Sequence, residues 1–313
     1  MSPPKVQSIL EPPDFWKGSI EGVYLQDFFE AFARNCPDLF SSLEFEILHL
    51  NTIHHRVPEL RGGKRKVLIW LSDEGSYIPL GESSRYLAVF KSYWLKEGPI
   101  RNIHPFPLCG SGEVHSAKIK PMEERCLSVF FSGNFCPNRA DFFRALTAFR
   151  YLPPFALRAY PLRRIYWELL RSAVKKREFS GLFPGGSVAF TSGFRKGLAP
   201  AEFASRLADT RIALCPEGFR SKETIRMFEA MRLGCVIIGP RMPPNPFYKN
   251  SPVIQKDSWL GIRGLVAELL ASPHRLAQIH KETLHWWDAV CSAKAMAEKT
   301  ISFLAACEGK GSF

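Results

Sequence analysis

Six basic residues of this 313-residue sequence fall beside apolar runs from residue 139 onward: Arg139, Arg195, Lys196, Arg220, Lys222 and Arg226. Nearer the N-terminus two adjacent carboxylates, Asp73 and Glu74, follow the apolar run 67–71 after a single serine, Ser72. Lys222, Arg226 and Glu229 are spaced i, i+4 and i+7 in a helix expected over 222–232, so they share one side of it. Two cations and a carboxylate near a helix N-terminus suit a diphosphate whose attached ribose offers a hydroxyl to Glu229. The same spacing suits a solvated stripe with an Arg226–Glu229 ion pair. Asp73 and Glu74 stand where α/β folds place acid–base chemistry, although Asp and Gly also mark ordinary turns. The adjacent His54 and His55 lie in a polar stretch that reads as a loop.

Other chemistries lack their signatures. The sequence holds no GxxxxGK[ST], no GxGxxG after a strand, no HExxH, no Asp-x-Asp and no GxSxG. The missing phosphate loop disfavours phosphoryl and sulfuryl transfer. Eight histidines are scattered, with no i, i+4 pair on a helix, so no metal is expected.

The elements that must carry these residues follow from periodicity and punctuation. Residues 211–215 form an apolar strand, Pro216 and Gly218 break it, and Ser221 is the expected N-cap of the 222–232 helix. Gly234 ends that helix before the strand 236–238. So tight a βαβ unit belongs to a parallel sheet, whose ligands sit at the carboxyl ends of strands. Upstream, a strand over 127–131 leads through a Ser132-Gly133-Asn134 turn into a helix carrying Arg139, a small anion-friendly cradle. Further strands are expected over 43–50, 67–71, 86–93, 100–106, 187–191 and 252–255. Helices are expected over 22–32, 200–207, 261–271 and, as one long final helix, 274–306. Residues 1–20 read as an irregular Pro-rich arm and 109–124 as a linker. The expected organisation is therefore α/β with two Rossmann-like domains, 1–122 and 123–313, the last helix crossing back to the first domain.

Composition bounds the rest. At 46% hydrophobic and 23% charged, the chain is globular. Eight cysteines without paired spacing read as reduced thiols. No signal-like N-terminus and no run of eighteen apolar residues is present, so a cytoplasmic protein is expected. A net charge of +12 favours anionic partners. Residues 158–177 concentrate seven Lys/Arg against one Glu among aromatic and aliphatic residues. They could hold the protein at an anionic membrane surface, or form a solvated helix. Nucleic acid is not an expected partner, because no recognition motif accompanies the charge.

The central stretch resembles the exostosin-like glycosyltransferases. The resemblance rests on Leu214-Cys215-Pro216-Glu217-Gly218, Ser221, Thr224-x-Arg226-x-x-Glu229-Ala230 and Gly234-Cys235-Val236-Ile237-Ile238, with Val129 to Asn134 and Arg139 upstream. It spans about 126–305; Thr224 replaces the usual serine and Ile237 a frequent proline. The resemblance implies a GT-B fold, two Rossmann-like domains facing across a cleft. It implies a metal-independent transfer of a sugar from a UDP- or GDP-sugar to a hydroxyl of a glycan or glycolipid, with no other cofactor. The second domain would bind the nucleotide sugar, Arg226 holding the diphosphate and Glu229 the ribose. Gly133, Arg139, Arg195, Glu217, Gly218, Arg220, Ser221 and Lys222 complete the expected donor site. Inversion would need a base from the first domain, Asp73 or Glu74. Glu217 opens the retaining alternative, as an acidic loop residue contacting the donor sugar; a non-catalytic glycan- or polyanion-binding protein is a further alternative.

Overall fold

The computed structural model describes residues 5–94, 98–147, 178–191, 193 and 196–309. The basic segment 158–177 and Arg195 lie outside them. The chain divides into two compact units. Unit 1 comprises Met1–His115, Met242–Ser251 and His285–Phe313; unit 2 comprises Ser116–Arg241 and Pro252–Leu284. Each is α/β around a five-stranded parallel sheet.

In unit 1 the strands β1 (Lys5–Ser8), β2 (Glu44–His49), β3 (Gly63–Leu71), β4 (Tyr86–Lys91) and β5 (Ile103–Pro105) lie side by side in chain order. Val67 to Leu71 are all buried, the continuous apolar run of a strand covered on both faces. The strand also extends back through the polar Gly63 to Lys66, because Lys66 Nζ meets Glu46 Oε1 at 2.5 Å and Glu44 Oε2 at 3.7 Å on β2. The N-terminal arm is not irregular. Lys5–Ser8 pairs with β2, Lys5 opposite Glu44 and Ser8 opposite Ile47, and the following turn buries Trp16, whose N–H donates to Ser8 Oγ. Four residues among prolines are too few for a periodic signal; the edge of β2 supplies the ladder they need. Helix α1 (Gly22–Asn35) lays Leu25, Phe28, Phe29 and Phe32 inward, Phe29 and Phe32 packing edge-on against Phe45 of β2. Each such buried ring contributes about 1.5–3 kcal/mol by removal from water.

Unit 2 holds β6 (Leu127–Asn134), β7 (Ser187–Thr191), β8 (Thr210–Leu214), β9 (Val236–Pro240) and β10 (Ile254–Lys256) in the order β10-β9-β8-β6-β7. The chain steps from β6 outward to β7 and returns to the other side of β6 for β8. Such a reversal opens a crevice at the strands' carboxyl ends, the usual ligand position; the sheet of unit 1, in simple order, has no reversal. Helices α2 (Ala140–Ala145), α3 (Pro200–Ala208), α4 (Ile225–Arg232) and α5 (Ile262–Leu270) follow their strands. Helix α4 ends as expected: Gly234 takes φ +67°, and the N–H of Cys235 reaches back to the Ala230 carbonyl.

The expected single final helix is two. Helix α6 (Pro273–Trp286) runs into a π-helical turn, Trp287–Cys291, then Ser292 turns extended and α7 (Ala293–Gly309) begins. Ser292 serves both sides of the break: its N–H donates to Trp287 O and its Oγ accepts the N–H of Ala295. In unit 1 the Tyr24 hydroxyl of α1 donates to Cys291 O at 2.7 Å, seating α7 against α1. Among the described residues no helix is long and apolar enough to cross a membrane.

Candidate functional site

At the end of β6 in unit 2, Gly133, Arg139 and Arg226 come together, with the backbone of Glu217 beside them. β6 does not turn at Ser132-Gly133-Asn134; the strand continues through all three, paired with β7. Gly133 is needed for what lies across it. A Cβ there would meet Arg226 Nη2 at 2.9 Å, Arg139 Nη1 at 3.0 Å and Phe131 Cζ at 3.2 Å. The two guanidinium groups thus lie against the strand backbone and share the Phe131 ring, at 5.1 Å (Arg226) and 5.8 Å (Arg139) from its centroid.

Arg139 closes a short 3-10 turn, Pro137–Arg139, ahead of α2, and is buried. Its Nε donates to Glu217 O at 2.7 Å, and its Nη1 donates to Asn134 O and Oδ1. It therefore ties the end of β6 to the loop after β8. Arg226 donates through Nη2 to Ser132 O, while its buried Nε has no hydrogen-bond partner. Burial pushes the Arg226 guanidinium down to about 10, with the neighbouring Arg139 charge adding to the effect and Glu229 opposing it. The group is still a cation at neutral pH, desolvated and facing another cation.

Helix α4 starts later than expected. Ser221 is no N-cap: its Oγ accepts the N–H of Glu223, while Gly218 N donates to Ser221 O. The local hydroxyl turn wins over helix initiation at Lys222. Thr224, extended at φ −140° and ψ 145°, is the residue before the helix. Lys222 and Arg220 are exposed loop residues, so the expected i, i+4, i+7 face keeps only Arg226 and Glu229 on the helix. Arg220 lies over the ring of Phe219 at 5.5 Å. Glu229 is only 6% exposed, which excludes the solvated stripe. Thr224 is 7% exposed and its Oγ1 has no hydrogen-bond partner. The first-turn N–H groups of Ile225 and Arg226 have no intrahelical acceptor by construction. Thr224 Oγ1 and Arg226 Nε are thus two buried polar atoms without a hydrogen-bond partner at the first turn of this helix, the positive end of its dipole.

Gly218 is fixed from behind, its carbonyl accepting from Asn138 Nδ2. The Glu217 carboxylate accepts the Trp259 indole N–H at 3.2 Å, and burial, with Asp141 adding to it, raises its pKa. Asp141 in turn accepts from Ser258 Oγ and Trp259 N, which seats that indole. Trp259 and Asn138 have no motif spacing that could have announced them in the sequence.

In unit 1 the structure corrects Asp73. The residue has no accessible surface. Its Oδ1 accepts Thr52 N–H (2.9 Å) and Thr52 Oγ–H (2.6 Å); its Oδ2 accepts Tyr77 N–H and the ammonium of Lys91, both at 2.9 Å. Four donors fill the four lone-pair positions of a carboxylate. Burial alone would raise its pKa, but Lys91 and Thr52 outweigh it and the net shift is downward. This is an anchor that cannot reach an acceptor hydroxyl. Glu74 is half-buried in the turn that follows, and His54 and His55 are exposed in their loop.

Among the described residues no three His, Cys, Asp or Glu side chains come together as a metal ion would require. No family model matches the chain, and no curated protein matches it. Its structure is similar to HepE of Anabaena in complex with UDP, at 9% identity and TM-score 0.41, over 92% of this chain and 77% of that one. It is also similar to sucrose-phosphate synthase of Thermosynechococcus elongatus, at 10% identity and TM-score 0.44, over 96% of this chain and 81% of that one. Both likenesses are distant.

Proposed function

We propose that the chain is a GT-B glycosyltransferase of exostosin-like kind. It transfers a sugar from a UDP- or GDP-sugar to a hydroxyl of a glycan or glycolipid, without a metal and with inversion. The observation that carries this reading is the cluster at the start of α4: two guanidinium groups sharing Phe131, one with an unspent Nε, beside the unspent Thr224 hydroxyl and the first-turn N–H groups. Mutual repulsion and lost hydration are relieved when a diphosphate enters, and the unpartnered donors then find acceptors.

Chemically, the anomeric C–O bond breaks with its electron pair going to the nucleoside diphosphate. Arg226 and the α4 dipole meet that developing charge; loss of one such donor costs about 10²–10³ in rate. Glu229, buried one turn along the helix, accepts the ribose hydroxyls. Glu217, held by Trp259, borders the sugar and keeps retention as the alternative outcome. The test is release of UDP or GDP from sugar nucleotides with EDTA present. Release stimulated by a glycan acceptor supports transfer. Nucleotide binding without release would instead make the protein a non-catalytic binding module.

A further inference from the structure

Resting on the transferase reading, we infer that Phe219 is the platform on which the donor's sugar ring rests, a specificity contact on the side of the diphosphate away from the nucleoside. Among the described residues of unit 2, Phe219 is the only aromatic side chain that is exposed, at 47%. A single exposed ring on a loose surface loop needs no explanation. The way this ring is mounted does.

Three successive carbonyls behind the ring are tied to the turn ahead of α2. Glu217 O accepts from Arg139 Nε at 2.7 Å, Gly218 O accepts from Asn138 Nδ2 at 3.3 Å, and Phe219 O accepts from the same Nδ2 at 3.2 Å. Across the loop the Gly218 N–H donates to Ser221 O at 2.8 Å, which closes a tight turn with Phe219 and Arg220 at its tip. The Arg220 guanidinium then lies over the Phe219 ring at 5.5 Å and steadies its orientation. The backbone of this tip is ordered before any ligand arrives, so little entropy is lost when one does.

The order of groups along a sugar nucleotide assigns what meets the ring. In the proposed site Glu229 takes the ribose one turn into α4 and Arg226 takes the diphosphate at its first turn. The ligand therefore runs out past the start of the helix, and the chain leading into that start is the loop 217–224. The group still to be placed there is the sugar. Arg139 links the two places: its guanidinium shares Phe131 with Arg226, while its Nε holds the carbonyl of Glu217, two residues before Phe219. A pyranose carries C–H bonds on one face, apolar and weakly positive, which match the negative face of a phenyl ring. Such a contact reads the sugar and is indifferent to the nucleotide.

The test is calorimetric titration of the full-length chain in EDTA with UDP, GDP, UDP-glucose, UDP-N-acetylglucosamine and GDP-mannose. Phe219→Ala is expected to bind the sugar nucleotide preferred by wild type about 3- to 10-fold more weakly, with affinity for the matching bare nucleotide unchanged. Phe219→Trp, which keeps an aromatic face, should retain the wild-type affinity for both. If Phe219→Ala does not fold, Phe219→Leu carries the test, since it keeps apolar bulk and loses the ring face; the same selective loss is expected. Full sugar-nucleotide affinity without the ring, or equal loss for nucleotide and sugar nucleotide, overturns the assignment of Phe219 while leaving the transferase reading intact. No binding of any of the five ligands to wild type overturns both.

Discussion

Arg226 and Arg139 lie over one ring, Phe131, with only the missing side chain of Gly133 separating them from the strand beneath. Their roles differ. Arg139 spends its donors on the backbone of β6 and of the loop after β8, whereas Arg226 keeps Nε unspent. Arg139→Met is therefore expected to lower stability by about 2–4 kcal/mol, since it strands buried carbonyls. Arg226→Met strands a single carbonyl, Ser132 O, so it should lower the melting temperature less than Arg139→Met does, while removing nucleotide binding. Equal effects of the two on thermal unfolding would contradict this division.

Gly133→Ala brings a Cβ to 2.9 Å from Arg226 Nη2 and 3.0 Å from Arg139 Nη1, so both guanidinium groups must shift. Nucleotide affinity should fall about 10-fold or more, with a stability cost of about 1–3 kcal/mol for overpacking. Calorimetric titration with UDP and denaturant unfolding measure the two separately.

The Asp73–Lys91 pair predicts asymmetry. Asp73→Asn leaves a buried ammonium without its carboxylate and should destabilise by about 3–5 kcal/mol. Asp73→Leu combined with Lys91→Met should cost less than either change alone. The folded fraction of Asp73→Asn should still transfer sugar, a result that a catalytic base at this position would not allow.

His104 gives the pH dependence a definite sign. Its ring packs on Phe303 of α7 at 3.8 Å between centroids, and burial holds it down at about 4, against an ordinary value of 6.5. Between those pH values the unfolded chain binds the proton more readily. The stabilising contribution is complete above about 6.5 and is lost as pH falls toward about 4. The melting temperature of wild type should drop more steeply over that window than that of His104→Leu.

The β8–α4–β9 unit was legible because apolar runs of strand length, a proline, and Gly234 punctuate it. Its helix start was misplaced by three residues, since Ser221 gives its hydroxyl to the turn and not to the helix. Arg226 and Glu229 were legible as a pair from helical spacing; Arg139's bracing of two loops was not, because its partners are carbonyls. Asp73 looked catalytic from its place after a strand. Its occlusion depends on Thr52 and Lys91, 21 and 18 residues away, which no local pattern links to it. The π-turn at Trp287–Cys291 also escaped, as the only local sign of a break was Ser292 inside a helix-forming run.

The central claim is that the start of α4 holds the diphosphate of a sugar nucleotide. Titrating UDP and GDP into the full-length protein in EDTA, with Arg226→Met alongside, tests it most directly. One nucleotide should bind at a single site to wild type, and its affinity should fall at least about 10-fold in the variant, the cost of a lost charged hydrogen bond. Unchanged affinity in Arg226→Met, or no binding of either nucleotide to wild type, would contradict the account.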